Sequence, residues 1–432
     1  MLIKRKEDIR MKKTGKILAL VLAALMLLTA CGSKDDSGSA VSAEFSPRLD
    51  TEKAMELHAA VFFGNFEAFD QVINHFNEYY PNVAITYNQV GGSDDPQFLL
   101  DNPVDIFMTS NSSGYPADYC VDLLNAGLDV SAVSEEMIQA NKWGGKLLSL
   151  PMGQTLQGLV VNKTLLEKEG LAVPQTWSEF LSVLDALQQK GYTPIQGPES
   201  AVSSLCYDMG MAMLANDAKL LQAVTDGDAS GAAQMKAVFE RMTQLQEKGY
   251  FSQEVNATYP EDNYDGAIMK FFEGDVPFWV CDTEKVSGMK KRESKSESFS
   301  ANPFSYEFTY APLGDKGVYE YQEPWYGFAV NKESENSDYA IEFLRFMARQ
   351  DELNTLASVK GVPSVAKVTT DERYAGLNSI EKVELSAVSD GTVSSAVGKN
   401  LTKTAQALLS GEIADANAAV THFVSLCAES AS

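Results

Sequence analysis

Residues 144–163 read GGKLLSLPMGQTLQGLVVNK, with two short apolar runs separated by Pro151 and Gly153. Each run has the length of a β-strand and is bounded by glycine, proline or polar residues. Pro151 fixes its own φ and favours an extended Leu150, whereas Gly153 permits backbone angles that other residues resist. The pattern predicts a strand that leaves one sheet, turns and enters another. We interpret it as an inter-domain crossing at the back of a ligand cleft.

The start of the chain has the pattern of a targeting segment. A lysine-rich beginning precedes the apolar stretch 17–28, which is short for a membrane span, and small residues end it before Cys31. This resembles the lipobox of bacterial lipoprotein signal peptides. The resemblance implies a signal peptide at 1–30, lipidation of Cys31, and attachment to the extracytoplasmic face of the cell membrane by the lipid alone. Residues 31–53, rich in small and polar residues at their start, are expected to form a flexible tether.

Composition restricts the classes of partner and chemistry. The 432 residues carry a formal net charge of −24, which disfavours binding to nucleic acid or to anionic lipid. The length is sufficient for two domains. The remaining cysteines are widely spaced and we interpret them as buried free thiols, with their pairing left open, at Cys120, Cys206, Cys281 and Cys427. Three scattered histidines argue against a catalytic metal, and no cofactor is expected.

The first part of the chain has the periodicity of alternating strands and helices. Strands are predicted at 54–63, 83–87 and 104–108, and an apolar stripe predicts a helix between the first two. Such a series forms a parallel sheet, with ligands at loops beyond the carboxyl ends of its strands. Two such loops are 64–66 and 109–113.

The remainder of the chain continues this alternation. Thr176 and Glu179 form a capping box, and Trp143, Trp177 and Trp279 are interpreted as packing residues. Further strands are predicted at 276–280, 308–311 and 326–330, and helices at 165–170, 177–187, 209–215, 233–248, 264–272, 338–349, 380–387, 400–410 and 414–428.

The order of these pieces resembles the extracellular solute-binding proteins of ABC importers, in the carbohydrate-binding class called family 1. The matching stretches are GKLLSLP at 145–151, VNK at 161–163, PQTWSEF at 174–180, FEGDVPF at 272–278 and YGFAVNK at 326–332. The resemblance implies an α/β, two-lobed periplasmic-binding-protein-like fold of type II. Each lobe would be a mixed sheet flanked by helices, with a hinge of crossing strands.

The resemblance also implies a domain plan and partners. Lobe 1 would comprise 54–153 and 327–359, and lobe 2 would comprise 154–326 and 360–432, with further crossings at 323–327 and 360–363. The protein would be a monomer that binds a carbohydrate and delivers it to the transmembrane subunits of a permease. No nucleic acid is expected as a partner.

Sugar binding requires aromatic faces for the ring and polar groups for the hydroxyls, placed at strand ends and crossings. Trp325, after Pro324 and outside any apolar stripe, is the strongest candidate, and Gln154 is expected to face the cleft floor. Phe66 could instead belong to the core, and Asn65 could only cap a helix. Thr109, Glu284 and Ser389 adjoin the candidate residues and share their chemistry. The predicted ligand-binding residues are Asn65, Phe66, Ser110, Asn111, Gln154, Thr155, Tyr207, Asp208, Asp282, Trp325, Tyr326 and Asp390.

Three alternatives remain open at the level of sequence. Asp208, Asp282 and Asp390 would permit a cationic ligand such as a polyamine. Two cleft carboxylates could serve a glycan-acting enzyme, although no motif marks a catalytic pair and we predict a binding protein. The protein could also present its ligand to a sensor.

Overall fold

The computed structural model describes residues 44–91, 96–102, 104–110, 117–197, 199–251, 264–369 and 371–431. The predicted signal peptide, the predicted lipidation site Cys31, most of the predicted tether and Asn111 lie outside these residues. From Phe45 onward the chain forms one compact unit. None of the described helices is both long enough and apolar enough to cross a membrane.

Strands and helices alternate along the described chain. The strands are β1 (Met55–Val61), β2 (Val83–Gln89), β3 (Ile106–Ser110), β4 (Lys142–Trp143), β5 (Lys146–Leu147), β6 (Leu150–Pro151), β7 (Gln154–Thr155), β8 (Gln157–Asn162), β9 (Ile195–Gln196), β10 (Phe278–Asp282), β11 (Tyr306–Thr309), β12 (Val318–Pro324), β13 (Tyr326–Val330) and β14 (Val383–Val388). The helices are α1 (Glu67–Asn77), α2 (Pro96–Asp101), α3 (Glu135–Ala140), α4 (Lys163–Lys168), α5 (Trp177–Gln189), α6 (Glu199–Ser203), α7 (Cys206–Asn216), α8 (Ala218–Thr225), α9 (Lys236–Glu247), α10 (Tyr264–Phe271), α11 (Thr283–Ser287), α12 (Met289–Glu293), α13 (Glu297–Ala301), α14 (Ser337–Met347), α15 (Gln350–Lys360), α16 (Ala375–Asn378), α17 (Ser395–Leu409) and α18 (Ala416–Ala431).

Lobe 1 is built on a mixed sheet in the order β2-β1-β3-β13-β6. β1 pairs in parallel with β2 and β3, as the sequence predicts, whereas β13 is antiparallel to β3 and β6. The predicted apolar stripe of α1 is confirmed, since Phe69, Val72, Ile73 and Phe76 are all buried against this sheet's core. The mixed sheet with helices packed on it is the predicted fold class.

Lobe 2 is built on a four-stranded sheet in the order β11-β8-β10-β9. Alternate residues of β8 and β10 enter two different cores: Leu159 and Phe278 belong to one, and Val160 and Trp279 belong to the other. The sheet is therefore covered on both faces, and the central residues of β8 and β10 are apolar. Trp279 is a core residue, as predicted.

The three segments predicted to cross between the lobes are joined by backbone hydrogen bonds. Trp325 donates its backbone N–H to Gly153 O at 2.8 Å, and Gln154 donates its own to Pro363 O at 3.0 Å. A Cβ at Gly153 would lie 2.6 Å from Val362 Cγ2, so glycine allows this close approach. Within residues 144–163, the chain therefore runs from the lobe 1 sheet at β6 to the lobe 2 sheet at β8. The residue bounds predicted for the lobes stay a prediction.

A third sheet, in the order β14-β12-β7, lies at the crossing. The prediction of a helix at 380–387 is wrong. Val383–Val388 forms a strand, β14, that pairs in parallel with β12. β12 and helix α15 were not predicted at all. The glutamates and the leucine of residues 380–387 favour a helix locally. The segment forms a strand instead because β12 pairs with its backbone groups, and tertiary pairing overrides a weak local propensity.

A buried glutamate ties the N-terminal segment to lobe 1. Glu342 Oε1 accepts hydrogen bonds from Tyr80 Oη at 2.7 Å and from the Arg48 backbone N–H at 2.9 Å. The Arg345 guanidinium donates to both carboxylate oxygens. Burial favours the neutral acid, but these donors outweigh it and hold the pKa of Glu342 below its ordinary value.

We expect Glu342→Gln to lower the free energy of unfolding by about 2–4 kcal/mol, because it leaves buried donors without their carboxylate. The loss should be largest near neutral pH and should shrink as the pH falls through the folded pKa, where wild-type Glu342 becomes protonated. Urea unfolding followed by circular dichroism measures it. Glu412→Gln, at an exposed carboxylate, is the matched control and should change stability by less than about 0.5 kcal/mol.

Candidate ligand-binding cleft

A cavity of about 430 Å³ lies beside the crossing segments and receives residues from both lobes. Its volume falls in the range of small-molecule sites. Two hollows of about 670 and 690 Å³ are larger, but each is lined from lobe 2 alone. The cleft lining comprises Ala140, Asn141, Lys142, Trp143, Thr155, Tyr207, Met211, Glu284, Tyr321, Glu323, Pro324, Trp325, Tyr326, Ser389, Asp390, Gly391, Val393, Ser394 and Ser395.

The alternation of β7 decides which crossing residue faces the cleft. Thr155, opposite Glu323 in the ladder, lines the cleft, whereas its neighbour Gln154 lines a second cavity of about 230 Å³. Gln154 Nε2 donates to Ser364 O at 2.7 Å. Successive strand residues point to opposite faces, so the expectation that Gln154 faces the cleft floor is corrected in favour of Thr155.

Trp325 and Tyr326 bring aromatic surface to the hinge. The two rings lie 4.7 Å apart between centroids, and Trp325 lies 5.6 Å from Phe63. Trp325 Nε1 donates to Glu284 Oε1 at 2.8 Å, which fixes the indole against the lobe 2 helix α11. Lys360 Nζ lies 3.7 Å from the Phe63 ring centroid, at the edge of this cluster. The best single candidate of the sequence analysis therefore lies at the cleft.

Trp143 lies on the lobe 1 wall and is 54% exposed. The interpretation of this residue as packing is therefore wrong. It ends β4, and Gly144 and Gly145 follow at φ 56° and 83°, forming the two-residue turn of the β4–β5 hairpin. Such a turn requires positive φ at both positions, so the Trp-Gly-Gly sequence was a signal for an aromatic residue at the tip of a hairpin.

The lobe 2 wall combines tyrosines with carboxyl groups. Tyr207, on α7, donates its Oη–H to Glu323 Oε1 at 3.1 Å. Burial raises the pKa of Glu323 to about 7, and the Tyr207 hydrogen bond offsets only part of this effect. Asp208 lies beneath the lining, and its burial, together with the nearby Glu323 and Glu320 carboxyls, raises its pKa well above the ordinary value.

Several predicted residues lie elsewhere. Phe66 is wrong as a contact residue, because it is buried in the lobe 1 core with its ring 5.5 Å from Phe69. Asn65 is exposed but does not contribute to the cleft lining. Asp282 accepts the Lys285 backbone N–H at 2.9 Å as the cap of α11, and it pairs with the same lysine's ammonium group. Ser110 ends β3 opposite Tyr326, with its side chain outside the described set.

The structure thus gathers five of the predicted residues at one cleft: Thr155, Tyr207, Trp325, Tyr326 and Asp390. Glu284 and Ser389, which share their chemistry, join them. Sequence reasoning missed Tyr321 and Glu323. They lie two residues apart on the unpredicted strand β12, just before the hinge. An alternation of aromatic and acidic residues leading to Pro324 was the available signal.

Glu323 gives a prediction for pH dependence. Its folded pKa of about 7 exceeds the ordinary 4.5, so the folded state binds the proton more tightly than the unfolded state does. Stability contributed by this group should therefore fall as the pH rises from about 4.5 to about 7, and stay constant above that range. Glu323→Gln removes the titration.

The measurement is the urea midpoint of wild type and Glu323→Gln from about pH 5 to about pH 8. The wild type should lose stability relative to the variant up to about pH 7 and then run parallel to it. Glu412→Gln should parallel the wild type throughout. Parallel curves for Glu323→Gln would contradict the assigned titration.

Comparison with known proteins identifies the relatives of this chain. Residues 63–352 match the family described as bacterial extracellular solute-binding protein. A probable sugar-binding periplasmic protein of Rhizobium meliloti is 31% identical over 132 residues, which are 30% of this chain and 29% of that protein. The matches span 28% to 43% of the length of the curated relatives.

Solved structures agree in fold. Apo RafE of Streptococcus pneumoniae has a TM-score of 0.65 at 16% identity and covers 87% of this chain and 98% of its own. A sugar transporter protein of Bacillus licheniformis, solved with stachyose, has a TM-score of 0.56 at 18% identity and covers 87% and 99%. The profile match extends over more than half of the sequence and through both lobes. The chain therefore belongs to the bacterial extracellular solute-binding protein family.

Proposed function

We propose that this protein is the extracytoplasmic solute-binding component of an ABC importer and that it binds a sugar or oligosaccharide in the cleft. The observation that carries the proposal is a cavity of about 430 Å³ lined from both lobes by tryptophan and tyrosine rings among polar groups. Aromatic faces can stack on the apolar face of a sugar ring, while carboxyl and hydroxyl groups can bond its hydroxyls.

The comparisons support the choice of ligand class. The Rhizobium meliloti relative is described as sugar-binding, and the Bacillus licheniformis structure contains stachyose. On this proposal the protein is a monomer held at the membrane by a lipid on Cys31, with lobes bounded as the sequence analysis predicts. The closed form then delivers its sugar to the permease subunits.

Reversible closure explains how such a cleft would operate. Trp143 belongs to lobe 1 and Tyr207 to lobe 2, and both line the same cavity. A ligand that contacts both walls binds the closed arrangement more tightly than the open one, because only closure makes both sets of contacts. Ligand binding thereby shifts the population toward the state that docks on the permease.

A thermal-shift screen over mono- and oligosaccharides tests the proposal directly, since a ligand that binds only the native state raises the apparent melting temperature. Deletion of the gene should reduce uptake of the sugar that scores in the screen. Product analysis after incubation with that sugar addresses the enzymatic alternative. Turnover of the glycan, or a screen in which no saccharide shifts the transition, would contradict the proposed function.

We expect Trp143→Ala to weaken sugar binding about tenfold or more while leaving stability within about 0.5 kcal/mol, because its ring is exposed and contributes to the cleft rather than to a core. Titration calorimetry with the sugar found in the screen measures the affinity. Trp143→Phe should retain part of it. Leu124→Ala, at another exposed apolar residue of lobe 1 outside the lining, should leave the affinity for the sugar unchanged.

Trp325 allows stacking to be separated from hydrogen bonding. Trp325→Ala removes the ring and should raise the dissociation constant about 30-fold. Trp325→Phe keeps a smaller aromatic face and loses the Nε1–H donated to Glu284, so it should bind more tightly than Trp325→Ala and nearer to wild type. Equal losses in the two variants would contradict a stacking role for the indole. Glu284→Gln is the companion control: it keeps an acceptor oxygen for the Trp325 Nε1–H, so the affinity for the sugar should stay closer to wild type than in Trp325→Ala.

A further inference from the structure

Carboxyl groups on the lobe 2 side of the cleft converge on one tyrosine. Tyr321, Glu323 and Asp390 line the same cavity, and the charges of Glu323, Asp390 and Asp208 add to the rise that burial gives the pKa of Tyr321. Glu323 and Asp390 line the cleft, and Asp208 lies beneath them. We call Asp208, Glu323 and Asp390 the acidic corner.

Asp208 distinguishes this corner from an ordinary acidic surface. Its side chain is buried, with the residue only 6% exposed, and its Oδ1 accepts no hydrogen bond from any described residue. The charged neighbours that shift its pKa are Glu323 and Glu320, both acids. Within the described chain, no lysine or arginine is among the groups that shift Asp208 or Glu323. Asp208 Oδ1 therefore lacks a hydrogen-bond donor among the described residues, and the lysine in the cleft lining is Lys142 on the lobe 1 wall.

A metal ion does not fit the geometry. Across the described residues, no group of three or more histidine, cysteine, aspartate or glutamate side chains could coordinate one. An ammonium group makes weaker geometric demands: it offers three donors, carries a full positive charge and has no acceptor. It can also lie against the faces of tyrosine rings, and Tyr207 and Tyr321 line this part of the cleft.

We propose that the cleft selects a saccharide that carries a protonated amine, with its ammonium group against Glu323 and Asp390 and above the Asp208 carboxyl. This inference rests on the proposed function, because the aromatic walls provide the surface for the sugar ring. A neutral hydroxyl in the same place would donate one hydrogen bond but would add no positive charge to favour the ionised carboxylates over the protonated acids that burial favours.

Three trisaccharides with one linkage and different substituents beside the anomeric carbon test the inference: cellotriose with a hydroxyl, triacetylchitotriose with an N-acetyl group, and chitotriose with a free amine. Raffinose and stachyose are added as neutral sugars, and spermidine as a cation without a sugar. Titration calorimetry at about pH 5 keeps most of the amine protonated, because this pH lies well below the pKa values of amines. Chitotriose should bind about 10- to 100-fold more tightly than its N-acetylated counterpart.

A second readout distinguishes charge recognition from shape. A cation at the corner lowers the carboxyl pKa values, so a proton held by Glu323 or Asp208 passes to the buffer as chitotriose binds. Titrations in two buffers of different ionisation enthalpy measure that release on the unmodified protein. Cellotriose and raffinose should release none, and equal release by every sugar would overturn the inference.

Variants locate the effect. Asp208→Asn and Glu323→Gln keep the shape of each side chain, and each should reduce the preference for chitotriose over triacetylchitotriose about tenfold or more. Glu412→Gln, an exposed carboxylate outside the lining, should leave the preference unchanged. If Asp208→Asn does not fold, Glu323→Gln and the proton release still decide. Full preference in a folded Glu323→Gln variant would overturn the placement of the ammonium group.

The outcomes separate the two proposals. If a neutral sugar binds as tightly as chitotriose or more tightly, the amine inference fails while the sugar-binding function stands. If spermidine binds and no saccharide does, the proposed function fails, and the amine-sugar inference fails with it. If none of the probes binds, both are overturned.

Discussion

Backbone hydrogen bonds among the three crossing segments are the interactions on which the cleft depends. The Trp325 N–H donates to Gly153 O and the Gln154 N–H donates to Pro363 O, so these bonds join segments more than 170 residues apart in the chain, and Gly153 allows the approach of Val362. Polar backbone groups in such a position must be paired, so the crossings hold one another in register. That register in turn sets the side of the hinge on which each side chain lies. Thr155 faces the cleft and Gln154 faces the second cavity because successive residues of a strand point to opposite faces.

Around this hinge, the cleft combines two kinds of surface with different physical demands. The rings of Trp143, Trp325 and Tyr326 provide apolar area that a ligand can cover. The carboxyls of the lobe 2 wall pose an electrostatic problem, since burying them near one another disfavours their ionised forms. Most of the described aspartates and glutamates are at least partly exposed, where neighbouring acids interact weakly. Asp208 is different because water cannot compensate it, so a proton or a ligand donor must do so.

Much of the fold was predictable because local patterns and tertiary structure agree. The stripe of α1 is buried as its periodicity predicts, and Thr176 caps α5 by accepting the Glu179 N–H. Cys120, Cys206, Cys281 and Cys427 are buried free thiols in the structure, as predicted. Disagreement arises where a partner far along the chain overrides a local preference. The segment of β14 reads as a helix, yet it completes a ladder with β12, a strand whose polar alternation was not recognised.

The sequence by itself determined the alternation of strands and helices, the crossing at residues 144–163 and the classes of residue that a sugar cleft needs. These features follow from periodicity, from the fixed φ of proline and from the freedom of glycine, all of which act within a few residues. Only the tertiary structure decided which of those residues meet. It buried Phe66 in a core, turned Gln154 away, exposed Trp143 at the tip of a hairpin and buried Asp208 outside the cleft lining. The physical reason is that direction, burial and electrostatic environment depend on elements distant in sequence, and no local pattern records them.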